Sequence, residues 1–444
     1  MALTGRFSLL VALGVVPVVL LGADAAIAWA TLLGWLLLAL ALGGIDLALA
    51  ASPRRVAVER DLPSRLRLGE TARSELVLRN LGRRMLRAEV RDGWPPSAGV
   101  HGRNRSRVDV PAGEGGRVTL ALTPTRRGDR VTEAITVRSH GPLGLWARQA
   151  TLAAPGRLRV LPPFHSRAHL PSRLTRLREL EGRTPILVRG QGTEFDSLRE
   201  YVRGDDVRSI DWRATARRAD PESPGAAKLM VRTWRPERDR RIVIVVDTSR
   251  TAAARIADEP RLDTAYEAAL LLAALATHAG DRVDLLLWDR RRRGRVHGAS
   301  GADLLARMVD TMADVEAELI EADWAGVPAQ VRSVTSRRAL VVLLTAADSP
   351  GSARGLLSVL PQLTARHRVI VASVTDPTLG AAVSRRDELA DVYAAAAAER
   401  TRLDGDRVAA AARRLGATTV AAGPADLPPA LADRYLELKA AGQL

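Results

Sequence analysis

The 444-residue chain has no cysteine, almost no lysine and few aromatic residues. Without cysteine there is no disulfide framework and no zinc–thiolate site. That composition fits a reducing compartment. Aromatics make up 3% of the chain, so its cores must be built from Val, Leu, Ile and Ala. Lysine occurs only at Lys228 and Lys439, and nearly all the positive charge is arginine. Together with abundant alanine, this is the pattern of a GC-rich coding sequence.

The formal net charge of +16 raises a nucleic-acid reading. The basic residues, however, alternate with acids, as in Arg199-Glu200 and Glu237-Arg238-Asp239-Arg240, and form no stripe with stacking aromatics. Attraction to an anionic membrane surface is the better use of the excess. A basic, membrane-tethered nucleic-acid binder is carried as an alternative.

Long apolar runs are confined to the N-terminus. Residues 8–22 and 25–50 are apolar almost throughout, with Gly22-Ala23-Asp24 as a break between them. One helix over both would far exceed a hydrocarbon core of about 30 Å, so two spans are predicted. A cleaved signal peptide competes for the first run, which holds Pro17. Arg6 precedes the pair and Arg54-Arg55 follow it. The positive-inside rule therefore predicts a multi-pass protein of the cell membrane with its soluble bulk facing the cytoplasm. Asp46 reads either as a functional acid inside the membrane or as an interfacial residue at the end of the span.

From about 56 to 160 the pattern becomes short alternating runs, such as Ser74–Arg79 and Arg117–Leu122, bounded by Gly, Pro and Asn. This predicts an antiparallel β-sandwich. No set of residues there points to chemistry, so a spacer or interaction module is expected. From 241 onward, continuous apolar runs alternate with helical patterns: strands at 241–246, 283–288, 339–345 and 368–374, and helices at 261–279, 301–321 and 351–366. Two or three C-terminal helices complete an α/β doubly wound fold. The predicted organisation is a transmembrane helical hairpin over 1–52, a β-sandwich-like domain over 53–165, a charged linker over 166–238 and an α/β domain over 239–444.

That linker holds the run RGQGTEFDSLREYVRGDDVRSIDWRATAR at 189–217. Glu194, Glu200, Asp205, Asp206 and Asp211 alternate with Arg199, Arg203, Arg208, Arg213 and Arg217, around Phe195, Tyr201 and Trp212. Arginine–carboxylate pairs lock irregular backbone, which predicts a structural clasp; a partner-binding surface is the other reading. An arginine near every acid disfavours a general acid.

This run, with Arg127-Gly128, Gly141-Pro142-Leu143-Gly144-Leu145-Trp146 and Arg366-His367-Arg368-Val369 leading to Asp376-Pro377, resembles the domain-of-unknown-function 58 family. The resemblance implies paired membrane spans, a β-rich section and a von Willebrand factor A-like domain. It also implies a MoxR-type AAA+ ATPase as partner, in assembly or maturation of proteins or in cell-envelope processes. Residues 220–227 depart from the pattern as a small insertion.

Asp247, Ser249 and Thr251 have the D-x-S-x-[ST] spacing of a metal-ion-dependent adhesion site, at the end of the first parallel strand. Carboxylate and hydroxyl oxygens are hard ligands suited to Mg²⁺. The later loops depart from the usual pattern: 297–301 has no Thr, and the acid of Thr345-Ala346-Ala347-Asp348 is displaced, so Asp348 or Ser300 would have to substitute. The competing reading is that Asp247 and Ser249 cap the following turn.

No nucleophile–base pair and no phosphate-loop motif stand out. The expectation is a non-enzymatic, membrane-anchored protein-binding scaffold, with an Mg²⁺-dependent hydrolase centred on Asp247 as a further alternative.

Overall fold

A computed structural model of the chain describes residues 2–183, 194–202, 207–218, 229–235 and 240–444. It divides into two compact units, Met1–Pro163 and Phe164–Leu444.

The first unit opens with a short strand β1 (Ala2–Leu3) and the helices α1 (Gly5–Leu13), α2 (Val15–Leu21) and α3 (Ala25–Leu49). The break between α1 and α2 falls at Gly14, three residues before Pro17, which has no N–H to donate to the Leu13 carbonyl; the Trp35 indole lies on Gly14, where a Cβ would clash with its ring. Asp24, expected in the break, is the N-cap of α3 and accepts from Ile27 N at 2.9 Å. At 25 residues, α3 rises far enough to cross a bilayer. It is the single described helix that is long and apolar enough to do so, and the broken run Gly5–Leu21 is too short to match it. The expectation of two full spans is corrected accordingly.

Strands β2 (Val56–Asp61), β3 (Arg65–Arg67), β4 (Ala72–Asn80), β5 (Leu86–Asp92), β6 (Arg105–Val110), β7 (Gly115–Leu122), β8 (Gly128–His140) and β9 (Trp146–Leu161) follow. They form two sheets, β2-β4-β7 and β1-β9-β8-β5-β6, with β3 added beside β9. Period-two alternation turns Val56, Leu76, Leu78 and Val118 of one sheet and Leu86, Val90, Ile135 and Val137 of the other into a common core. Inside the sandwich, Arg60 is buried against Asp92 at 2.8 Å, also donates to Ser74, and lies 5.2 Å from the Trp94 ring.

Both ends of the apolar helical segment are tied to one loop of the sandwich, Gly141–Leu145. The Asp46 carboxylate, in the last turn of α3, is fully buried and accepts from Leu143 N and Leu145 N at 2.7 Å and from Trp146 N at 3.1 Å. Gly141 is required here, because a Cβ would lie 2.2 Å from Asp46 Oδ1. From the other end, the Thr4 hydroxyl bonds the carbonyls of Gly144 and Leu145, and Phe7 packs edge-on against Trp146. The carbonyls that α3 leaves unpaired at its C-terminus are met by arginines: Arg148 donates to Leu47 O at 2.9 Å and Arg84 to Ala48 O.

The second unit contains α4 (Leu170–Arg183), β10 (Glu194–Glu200), α5 (Trp212–Arg218), β11 (Met230–Arg235), β12 (Arg241–Asp247), β13 (Arg255–Ile256), β14 (Glu259–Pro260), α6 (Arg261–His278), β15 (Arg282–Trp288) and β16 (Arg292–Val296). It continues with α7 (Gly301–Ala313), α8 (Val327–Val334), β17 (Leu340–Leu344), α9 (Pro350–Thr364), β18 (Arg368–Val374), α10 (Thr378–Ser384), α11 (Leu389–Arg414), β19 (Thr418–Ala422) and α12 (Leu427–Ala440).

Its main sheet has the order β16-β15-β12-β17-β18-β19, parallel except for the edge strand β16. The apolar run Ile242–Val246 is buried on both faces in its middle. Val243, Val245, Val341, Leu343, Val369 and Val371 face Val327 and Val331 of α8 and Leu356 and Leu360 of α9. The architecture is mixed α/β, with antiparallel sheets ahead of a doubly wound parallel one.

Three sequence expectations change. The segment 166–238, expected as a linker, carries α4, α5 and the antiparallel pair β10–β11 and belongs to the second unit. The helix expected over 301–321 stops at Ala313, because the residues beyond it are drawn across the Asp247 loop: Glu318 N donates to Thr248 O and Arg250 N to Ile320 O, both at 2.9 Å. A parallel strand, β19, lies among the expected C-terminal helices.

Candidate functional site

The sheet order places the C-terminal ends of β12 and β17 side by side, next to the point where the winding direction reverses. Asp247 ends β12 and is buried. Its Oδ1 accepts Ser249 N at 2.8 Å, an Asx-type turn cap, and its Oδ2 accepts the Thr251 hydroxyl at 2.9 Å. The Thr345 hydroxyl, just beyond β17, donates to the same Oδ2 at 2.7 Å. Ser249 Oγ lies 3.2 Å from Thr251 Oγ1. Since the Thr251 proton is directed at Asp247, Ser249 is the donor in that pair. With their protons turned inward, the Thr251 and Thr345 oxygens keep lone pairs for an outside ligand.

Sequence spacing thus brought Asp247, Ser249 and Thr251 together, and it missed Thr345. Thr345 joins only because β12 and β17 are neighbours in the sheet, which nothing local announces. Asp348 is a correction. It pairs with Arg261, the first residue of α6, and not with the hydroxyl cluster. Ser300 is the N-cap residue of α7. Arg261, Asp247, Thr345 and Ala265 line a common recess, so the Asp348 carboxylate offsets a guanidinium beside the cluster. Among the described residues no three His, Cys, Asp or Glu side chains converge as metal ligands. The donor set is one carboxylate and three hydroxyls. These are hard oxygens compatible with Mg²⁺, but carry a single negative charge.

The neighbouring loops hold this corner still. Asp289, after β15, is fully buried and accepts from Arg293 at 2.9 Å and from Arg291 N at 3.0 Å. Its carboxyl stays below the usual value because the Arg291 and Arg290 amides and Arg293 outweigh the opposing effect of burial, which is the largest single contribution. Two histidines sit on carboxylates elsewhere, His165 on Glu267 at 2.9 Å and His297 on Asp284 at 2.6 Å. Asp284 is opposite Val243, four residues back from Asp247 along the sheet, and also pairs with Arg241.

The charged run forms a second candidate. Asp211 is its hub. Oδ1 accepts Arg213 N and Ala214 N at 3.0 Å, which caps α5, and Oδ2 pairs with Arg232 of β11 at 2.7 Å. The Ala214 amide, then Arg232, hold the Asp211 carboxyl below the usual range. Thr215 Oγ1 accepts Met230 N at 3.0 Å, and Tyr201 N donates to Leu229 O, which ties the run to β11 on both sides. Arg199 donates to Glu200 O. Trp212, one residue beyond the hub, is 67% exposed, and Leu198, Val202 and Val207 are exposed as well. Asp205 and Asp206 lie outside the described residues, as do the side chains of Glu194, Phe195, Arg208 and Arg217.

Comparison with known proteins falls on these same elements. Residues 197–381 match the family described as Protein of unknown function DUF58. The matched residues run from β10 through the Asp211 hub and the Asp247 cluster to α10. Three mycobacterial relatives match at 29% identity over 194 residues, among them Uncharacterized protein Mb1516 of Mycobacterium bovis and Uncharacterized protein Rv1480 of Mycobacterium tuberculosis. The match covers 43% of this chain and 57% of those relatives, so the chain spans little more than half the length of the curated proteins it matches.

Among solved structures, the CARDB domain of the PF1109 protein of Pyrococcus furiosus, in complex with di-metal ions, aligns at 19% identity over 24% of this chain and 91% of that one, with a TM-score of 0.18. A FixG-related protein of Vibrio parahaemolyticus aligns at 11% identity over 24% of this chain and 94% of that one, with a TM-score of 0.17. Similarity at that level carries no argument about fold or function.

Proposed function

We propose that the chain is a membrane-anchored, non-enzymatic scaffold that binds protein partners through its second unit. The observation that carries this reading is the pairing of an exposed aromatic with a rigid mount. Trp212 projects into solvent from a helix whose first turn is fixed by Asp211 and Arg232. An exposed indole, with Val202 and Val207 of the same charged run also exposed, is an affinity anchor of the kind that dominates interfaces.

The Asp247 cluster supplies a second contact. Within a von Willebrand factor A-like domain, Mg²⁺ held by Ser249, Thr251 and Thr345 beside Asp247 would be short of negative charge, which a partner's carboxylate makes up. The resemblance to the domain-of-unknown-function 58 family points to a MoxR-type AAA+ ATPase as that partner, in protein assembly, maturation or cell-envelope processes. In this reading α3 crosses the membrane, and Arg54 and Arg55 after it keep the soluble units in the cytoplasm.

Photo-cross-linking from position 212 of the full-length protein in its native membrane tests the reading. Cross-links to an AAA+ ATPase are expected. Cross-links to lipid or water alone contradict it.

A further inference from the structure

The strand register gathers several turns at one end of the β-sandwich. β2 leaves α3 through Arg54-Arg55, and its first residue, Val56, lies opposite Asn80, the last of β4. Leu81 N donates to Arg55 O at 2.8 Å, so the β4–β5 turn lies against the chain as it emerges from the membrane helix. β8 ends at His140 opposite Ala147, which puts the Gly141–Leu145 loop at that end too, and Asp46 holds it against the last turn of α3. These turns are therefore fixed at the level where α3 ends.

What they expose is unusual for a turn in water. Leu81 is 61% exposed, Met85 46% and Leu143 49%. Around them, Arg54, Arg55 and Arg83 are exposed, and none has an ion-pair partner among the described residues. Arg84 and Arg6 are also here, committed to the carbonyls of Ala48 and Leu143. The acids at this end are Glu114, in the adjacent β6–β7 turn, Asp109 near the end of β6, and the buried Asp46. Apolar tips set among unpaired arginines match a headgroup layer. Arginine stems and Leu or Met side chains sit at the acyl boundary while guanidinium groups reach anionic phosphates.

We propose that this end of the sandwich is a docking surface for anionic phospholipid. Its membrane contact is the β4–β5 turn and the Gly141–Leu145 loop, with Arg54, Arg55 and Arg83 as the headgroup ligands. The proposal rests on the reading of α3 as a membrane helix. Its occupant follows from continuity: residues tied within hydrogen-bond distance of the last turn of α3 are held beside the bilayer surface, so lipid is the surface within their reach, and its headgroup charge decides whether they dock on it.

The absence of cysteine makes a clean test available. Single-cysteine variants of the full-length protein, Leu81→Cys in the turn, Leu38→Cys in α3 and Glu70→Cys at the far end of β4, are nitroxide-labelled and reconstituted in phosphatidylcholine with or without phosphatidylglycerol. Collision with oxygen against a water-soluble nickel chelate reports depth. The expected result is hydrocarbon at Leu38, water at Glu70, and interfacial depth at Leu81 in the anionic bilayer only, lost when Arg54, Arg55 and Arg83 are all changed to Gln. Equal depth at Leu81 in both lipids, or depth unaffected by the triple change, overturns the anionic contact. Water at Leu81 with hydrocarbon at Leu38 overturns the docking surface while leaving the membrane helix standing. Water at both positions overturns the membrane reading and the docking surface with it.

Discussion

The Asp46 carboxylate accepts the backbone N–H of Leu145 at 2.7 Å, across 99 residues of sequence, while fully buried in the last turn of α3. With the amides of Leu143 and Trp146 it meets three backbone donors, a demand that two carboxylate oxygens satisfy and a single carboxamide oxygen does not. An acid at the end of an apolar helix is thereby a fastener between the anchor and the sandwich. Of the two sequence readings, a functional acid inside the membrane or a residue at its edge, the geometry supports the second and gives it a mechanical role.

Removing that fastener leaves buried amides without partners. Asp46→Ala is expected to destabilise the first unit by about 2–4 kcal/mol, and Asp46→Asn by an intermediate amount, because one carboxamide oxygen replaces two carboxylate oxygens. Thermal unfolding of the full chain in detergent reads the difference. Equal midpoints for all three proteins would contradict the role assigned to Asp46.

Asp211 makes a prediction with a sign. Its carboxyl is held below the ordinary 3.8 by the Ala214 amide and Arg232, so its contribution is present at neutral pH. That contribution is lost as pH falls through the folded value, where the carboxyl takes up a proton. Amide protection in α5, taken relative to the intrinsic exchange rate at each pH, should fall in the wild type at acid pH, and in Asp211→Ala it should be low at every pH. Unchanged α5 protection in the variant would show that the cap is not what holds the helix.

His367 makes a second one, elsewhere in the unit. Burial first, then Arg366, keeps its imidazole below the ordinary 6.5. The unfolded chain therefore takes up a proton at higher pH than the folded protein does. Stability present above the unfolded value is lost as pH falls toward the folded one. His367→Gln is expected to flatten the fall in denaturation midpoint between about pH 7.5 and pH 5.5. An equal fall in both proteins would assign the effect to another group.

The Asp247 cluster separates two candidate oxygens by experiment. If Mg²⁺ binds the folded cluster, saturating it at about 100 times its dissociation constant raises stability by about 2.7 kcal/mol. Thr345→Val should abolish that rise, whereas Asp348→Asn, which touches the Arg261 pair, should leave it intact. A rise that survives Thr345→Val and disappears with Asp348→Asn would restore the arrangement expected from sequence alone.

Much of this fold is legible wherever burial writes a simple period. Ile242–Val246 is apolar at every position because both faces of β12 are covered, and Leu76 and Leu78 alternate because β4 is covered on one. Legibility fails where the backbone, not the side chains, sets the structure. β16 reads Arg292-Arg293-Gly294-Arg295-Val296, an edge strand with almost no apolar signal, and β19 is a short Thr and Ala run between helices.

Val315–Ile320 keeps a helical spacing but is pinned across Thr248 and Arg250 by main-chain hydrogen bonds. The site divides the same way. Asp247, Ser249 and Thr251 are legible because one turn holds them all. Thr345 and the Asp46 clasp are not, because only strand order and the docking of one loop bring their partners near.

The central claim, a partner-binding scaffold carried by the second unit, is tested most directly by affinity capture of the full-length protein from its native membranes with ATP and Mg²⁺. Wild type, Trp212→Ala and Asp247→Ala are compared, and unchanged thermal midpoints are used as the check that the exposed Trp212 contributes under about 0.5 kcal/mol to folding. The account predicts that a MoxR-type AAA+ ATPase is enriched with the wild type and lost with Trp212→Ala, and weakened with Asp247→Ala. Failure to enrich any such ATPase, or equal enrichment by all three proteins, would contradict it.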